Sequence, residues 1–148
     1  MSAQTVYIVI KCGNSANIHA AKELDKVIKK HSYAWFAKFG TSLKYEKFDL
    51  QNPNLKLVLC VALMFNREYE IYSYKIEEFN RMESPKKGTF PNYYNELLDD
   101  VGTWIKVSKL DTPQPTINDL LVKSSYIKLS QTIKKAKAGF FYCSHFRD

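Results

Sequence analysis

The stretch that most constrains the fold is Leu55–Phe65, Leu-Lys-Leu-Val-Leu-Cys-Val-Ala-Leu-Met-Phe, the longest apolar run in the chain. It is far shorter than the about 20 residues that cross a bilayer, so it must be buried by protein instead. Val58 and Val61 favour extended backbone, and the run passes through Asn66-Arg67-Glu68 into a second extended stretch, Tyr69–Ile76. The pair reads as a hairpin at the centre of a sheet. Thr5–Lys11 is apolar on both faces, Tyr7 and Val9 on one and Ile8 and Ile10 on the other. That pattern marks a central strand.

The remaining elements follow from periodicity and punctuation. Asn14 or Ser15 is the expected cap of a first helix running to about Lys30, with Ile18, Ala21, Leu24, Val27 and Ile28 as its apolar stripe. Tyr33–Phe39 and Thr103–Leu110 read as strands, and Phe48 sits in a short one. Glu83–Asn92, with its Ser-Pro, Lys86-Lys87-Gly88 and Pro91, reads as an exposed, mobile loop. Thr116 caps a short helical segment, Ile117–Val122. Ser124 or Ser125 caps a second main helix with its stripe at Tyr126, Leu129, Ile133 and Ala136, and Gly139 ends it before a closing strand, Phe140–Ser144. The expectation is a single α+β domain over 1–148: about six strands in a curved mixed sheet or barrel, flanked by two main helices. The lack of regular βαβ alternation argues against a doubly wound fold.

Composition limits the function classes. Aromatic residues make up 14% of the chain, which favours flat binding surfaces. The net charge of +7 is concentrated near the end. From Lys123 to Asp148 there are six basic residues and one acidic, a net of +5, which is the footprint expected for a polyanion or, on the plainer reading, a solvated lysine face. Cys12, Cys60 and Cys143 lie in or beside apolar runs, and no secretory signal is visible, so reduced thiols in a cytoplasmic protein are expected. His19, His31 and His145 lack metal-ligand spacing, and no nucleophile elbow, phosphate-binding loop or dinucleotide fingerprint occurs. An enzyme is therefore not expected, and no cofactor is implied.

The opening Val9-Ile10-Lys11, the small polar loop after it, Asn17-Ile18-His19, and then Trp35 within Tyr33–Phe39 resemble the start of YTH and EVE domains in the PUA-like superfamily. Those domains read modified nucleobases. The likeness covers the first forty residues or so; beyond them only the order of elements agrees. Cys12 stands where the family has a serine, helix one is longer and more charged, and no third cage aromatic aligns. The resemblance implies a PUA-like barrel with a nucleobase pocket at its mouth.

The residues that suit this chemistry are Trp35 and Trp104 for stacking, with Lys11, Asn14, Ser15 and Asn17 for the base edge or sugar. Trp104 shares a polar-leaning strand face with Lys106 and Ser108, which is an awkward place for an ordinary core residue. Tyr93 and Tyr94 after Pro91 form a candidate lid; the plainer reading is that they anchor a loop. Ser124, Ser125, Lys134, Lys135 and Lys137 are the expected phosphate contacts, although capping explains the serines as well. The expected partner is RNA, DNA or a free nucleotide, with a separate effector protein as a further partner and no membrane. The competing readings are a protein–protein adaptor and, behind it, a small nuclease or toxin.

Overall fold

The computed structural model describes residues 6–12, 19–40, 55–62, 69–80, 83–110, 120–122 and 140–145; for 6, 62, 69, 120–122 and 140–145 only the backbone is described. Seven strands form one mixed sheet: β1 (Val6–Cys12), β2 (Ala34–Phe39), β3 (Leu55–Ala62), β4 (Tyr69–Asn80), β5 (Val101–Lys109), β6 (Leu120–Val122) and β7 (Phe140–His145). Their order across the sheet is β2-β5-β4-β3-β1-β7-β6, and among them only β1 and β3 run parallel. The expected hairpin is β3 with β4, in register from Lys56 opposite Lys75 to Ala62 opposite Tyr69, and it does lie at the middle of the sheet.

β1 is buried on both faces, as its pattern requires. Ile8 and Val9 are fully covered, and Tyr7 and Ile10 nearly so. One continuous cluster takes Ile8 and Ile10 from β1, Leu57 and Leu59 from β3, Ile76 from β4, Ile105 and Val107 from β5, and Phe36 from β2. Ala21 and Leu24 of helix α1 (Ala20–His31) complete it. Five strands span about 19 Å, whereas a helix is about 10–12 Å wide. Helix α1 is therefore narrower than the sheet whose core it covers.

Helix α1 is held by its apolar stripe and by its ends. Glu23 and Lys26 form an ion pair of 2.9 Å one turn apart, and Lys29, Lys30 and His31 complement the negative C-terminal end. Ser32 closes the helix in the left-handed conformation, φ 72°, with its N–H on the Ile28 carbonyl. The start differs from expectation. Ala20 is the first helical residue and His19 is the cap, its Nδ1 accepting from the Lys22 amide at 3.2 Å. Asn14 and Ser15 fall five and four residues before that cap and lie outside the described residues, as do Asn17 and Ile18. An imidazole nitrogen supplies the acceptor that a carboxamide or hydroxyl was expected to give.

Two further expectations change. Leu120–Val122 is a strand rather than the end of a helical segment, because Leu120, Leu121 and Val122 pair with His145, Ser144 and Cys143 of β7. Ladder bonds to a distant segment override the weak local cap at Thr116. The loop before β5 is also not uniformly exposed. Thr89, Phe90 and Pro91 are buried, and two 3₁₀ turns, Asn92–Glu96 and Leu98–Asp100, follow before β5. This segment covers the outer edge of β2: the Trp35 amide donates to the Thr89 carbonyl and the Gly40 amide to the Asp100 carbonyl, both at 2.8 Å. An edge strand thus gains hydrogen-bond partners that its neighbours cannot give. Phe48 and the expected second main helix lie outside the described residues. Among those residues there is one α-helix, and no helix is long and apolar enough to cross a membrane.

Candidate functional site

The face of β2 and β5 turned away from α1 carries a second cluster, and it is aromatic. Ala37, Phe90, Tyr94 and Trp104 form its buried part, with Trp35, Tyr93, Leu98 and Val101 packed around them. Ala37 stands opposite Trp104 across the β2–β5 ladder, and the small alanine leaves room for the indole. Phe90 and Tyr94 lie nearly parallel at 6.1 Å, and both tilt against Trp104, at 5.1 and 6.0 Å. Phe39 and Tyr93 meet Tyr94 edge-on, at 5.6 and 4.7 Å. These separations are those of attractive ring pairs.

This geometry separates the two tryptophans. Trp104 is only 3% exposed, covered by Phe90 and Tyr94 from the segment that follows the lysine loop. Trp35, one step along the same face and opposite Lys106, is half-buried. The accessible aromatic rim is therefore Trp35 and Tyr93, and Trp104 is the layer beneath it. Tyr94 is fully buried, which leaves Tyr93 as the half of the tyrosine pair that a ligand can reach. Farther along the face, the Lys106 ammonium sits 4.5 Å from the centre of the Tyr33 ring, a cation–π contact. Lys86 and Lys87 are exposed on the loop whose Thr89 is tied to Trp35; Thr89 in turn bonds the Lys86 carbonyl through its amide and hydroxyl, at 3.1 and 2.5 Å. The basic loop is thus fastened beside the half-buried indole.

Cys12, at the end of β1, packs against the α1-side cluster. Burial pushes the Tyr93 phenol up to about 12, and Cys12 and Glu23 act in the same direction. Burial likewise raises Tyr94 well above its ordinary range, with contributions from Tyr93 and Cys12. Cys12 carries a free thiol that burial raises to about 12, which leaves it unreactive at neutral pH. Lys11 is half-buried and, by strand alternation, lies on the opposite face of β1 from Cys12. Of the expected pocket residues, the structure brings Trp35, Trp104, Tyr93 and Tyr94 together; Lys11 shares with Tyr7 and Val9 the face of β1 turned away from Ile8, Ile10 and the α1-side cluster. Asn14, Ser15, Asn17, Ser124, Ser125, Lys134, Lys135 and Lys137 lie outside the described residues.

Sequence reasoning missed Phe90, whose only signal was an isolated aromatic between Thr89 and Pro91 in a polar loop. It also missed a polar cluster at the far side of α1. There the Tyr74 hydroxyl donates to Asp25 at 2.9 Å, Tyr72 donates to Glu70, and the Tyr72 oxygen lies 3.5 Å from His19 Nε2. Nothing along the chain ties Asp25 to Tyr74; only the packing of α1 on β4 does. Among the described residues no group of three His, Cys, Asp or Glu side chains is placed to hold a metal ion. No family model, curated protein or solved structure matches this chain.

Proposed function

We propose that the protein is a non-enzymatic nucleic-acid-binding module of PUA-like, YTH/EVE type, in which a nucleobase, and by the family resemblance a modified one, stacks on the Trp35–Tyr93 rim. The observation that carries this reading is the half-buried Trp35 itself, flanked by Tyr93 and the Tyr33–Lys106 pair and backed by a rigid layer of Trp104, Phe90 and Tyr94. A stacking surface works best when its ring is held in place before the base arrives, because little side-chain freedom is then lost on binding. Lys106, Lys86 and Lys87 supply cations beside the rim, and the basic residues Lys134, Lys135 and Lys137 are proposed as further contacts to the backbone phosphates.

The test is oligonucleotide binding followed by fluorescence anisotropy across a salt series, with modified and unmodified strands and free nucleosides as competitors. Trp35→Ala is expected to lose about 1–3 kcal/mol of affinity while the thermal transition stays cooperative. Unchanged affinity in that variant would refute the stacking role.

The adaptor reading has one observation of its own. Phe39 and Leu97, both 38% exposed, are the exposed large hydrophobic residues among the described ones, and each adjoins Tyr94: Phe39 meets its ring edge-on and the Leu97 amide donates to its carbonyl. A protein partner seated there would bind with little salt dependence, whereas oligonucleotide affinity must fall steeply with salt.

A further inference from the structure

A cavity of about 660 Å³ lies between the C-terminal half of α1, the first half of β4 and the end of β5. Its size is in the middle of the range of sites that enclose nucleotide-scale ligands. Asp25, an exposed residue, lines it, one carboxylate oxygen accepting from Tyr74; the other oxygen has lone pairs to offer a ligand. Burial raises the Asp25 carboxyl pKa, against the opposing pull of Tyr74 and His19. Lys29 and Lys109 line the same cavity, are exposed, and make no ion pair among the described residues. Ile28, Leu110 and Tyr72 supply the apolar and aromatic wall.

This arrangement selects by exclusion. A purely anionic ligand meets the Asp25 charge. A purely cationic one meets two lysines. An apolar one strips water from Asp25 and gives nothing back. What fits is a molecule with N–H donors at one end, an anion at the other and a flat body between.

We propose that the cleft is a small-molecule site, separate from the Trp35 face, for a nucleoside monophosphate whose base carries an exocyclic amino group. The amino edge donates to Asp25, the phosphate meets Lys29 and Lys109, and base and sugar lie along Ile28, Leu110 and Tyr72. This inference stands independently of the oligonucleotide reading.

Calorimetric titration of the full chain with guanosine, adenosine, cytidine and uridine 5′-monophosphates tests it. The three amino-bearing nucleotides are expected to bind at least about tenfold more tightly than the uridine nucleotide. Asp25→Asn should shrink that discrimination, and Lys29→Gln with Lys109→Gln should weaken all binding; both lysines are exposed, so the fold is not at risk. Trp35→Ala should leave mononucleotide affinity unchanged. Absence of binding, equal binding of all four, or indifference to the lysine changes would overturn the proposal. Loss of mononucleotide binding in Trp35→Ala alone would also overturn it and move the nucleotide to the aromatic face.

Discussion

The two clusters on either side of β2 and β5 are built from different chemistry and serve different ends. The cluster under α1 is mainly aliphatic and draws on five strands, so each of its members ties distant parts of the chain together. The cluster under the 3₁₀ turns is aromatic, draws mainly on β2, β5 and the segment between β4 and β5, and reaches the surface at Trp35 and Tyr93. Branched aliphatic chains fill a closed interior without directional demands. Aromatic rings tolerate a half-wet edge and still offer a flat face. The comparison teaches that the polar-leaning side of a strand is not always a surface. Trp104 is as buried as the aliphatic core, yet it alternates with Lys106 and Ser108.

Trp104→Ala should show the largest effect, a loss of about 3–5 kcal/mol measured by denaturant unfolding, together with weaker oligonucleotide binding as the Trp35 rim loses its backing. If instead the variant keeps full stability and loses only binding, Trp104 contacts the ligand and the division between rim and backing layer is wrong. Leu57→Ala, on the aliphatic side, should cost about 2–5 kcal/mol and leave oligonucleotide affinity of the folded protein unchanged. A loss of affinity there would show that the two clusters are coupled.

A smaller effect belongs to Lys106→Gln. Its cation–π contact with Tyr33 places one charge beside the rim, so the variant should reduce the salt slope of oligonucleotide binding by about 1 and leave base preference unchanged. The smallest effect is seen only in alkali. Tyr93 in the fold is pushed to about 12, above the about 10 of an unfolded tyrosine. Its neutral form is favoured in the folded protein, so the linked stability is fully present below pH about 10 and is lost as pH rises through about 12. Tyr93→Phe should blunt that alkaline loss in thermal melts at stepped pH; an unaltered profile would place Tyr93 in open solvent.

Much of this was legible along the chain. β1, β2, β3, β4, β5 and β7 each announce themselves by an apolar or alternating run, and the α1 stripe of Ala21, Leu24, Val27 and Ile28 has helical spacing. The tryptophans and Tyr93 were visible as aromatics beside cations. What was not legible was their cover. Phe90 and Tyr94 bury Trp104 from a segment that reads as loop, and His19 caps α1 where standard caps occur four and five residues earlier. The cleft around Asp25 left no trace, since an aspartate on a lysine-rich helix looks like any solvated charge.

Local pattern by itself determined most of the extended stretches and α1, though not the Leu120–Val122 strand, because side-chain periodicity and backbone preference act between near neighbours. Only the tertiary structure decided that Trp104 is covered while Trp35 is not, and that Asp25 faces Tyr74. Burial and hydrogen bonding need two surfaces to meet, and the second surface arrives from a part of the chain that the first does not encode.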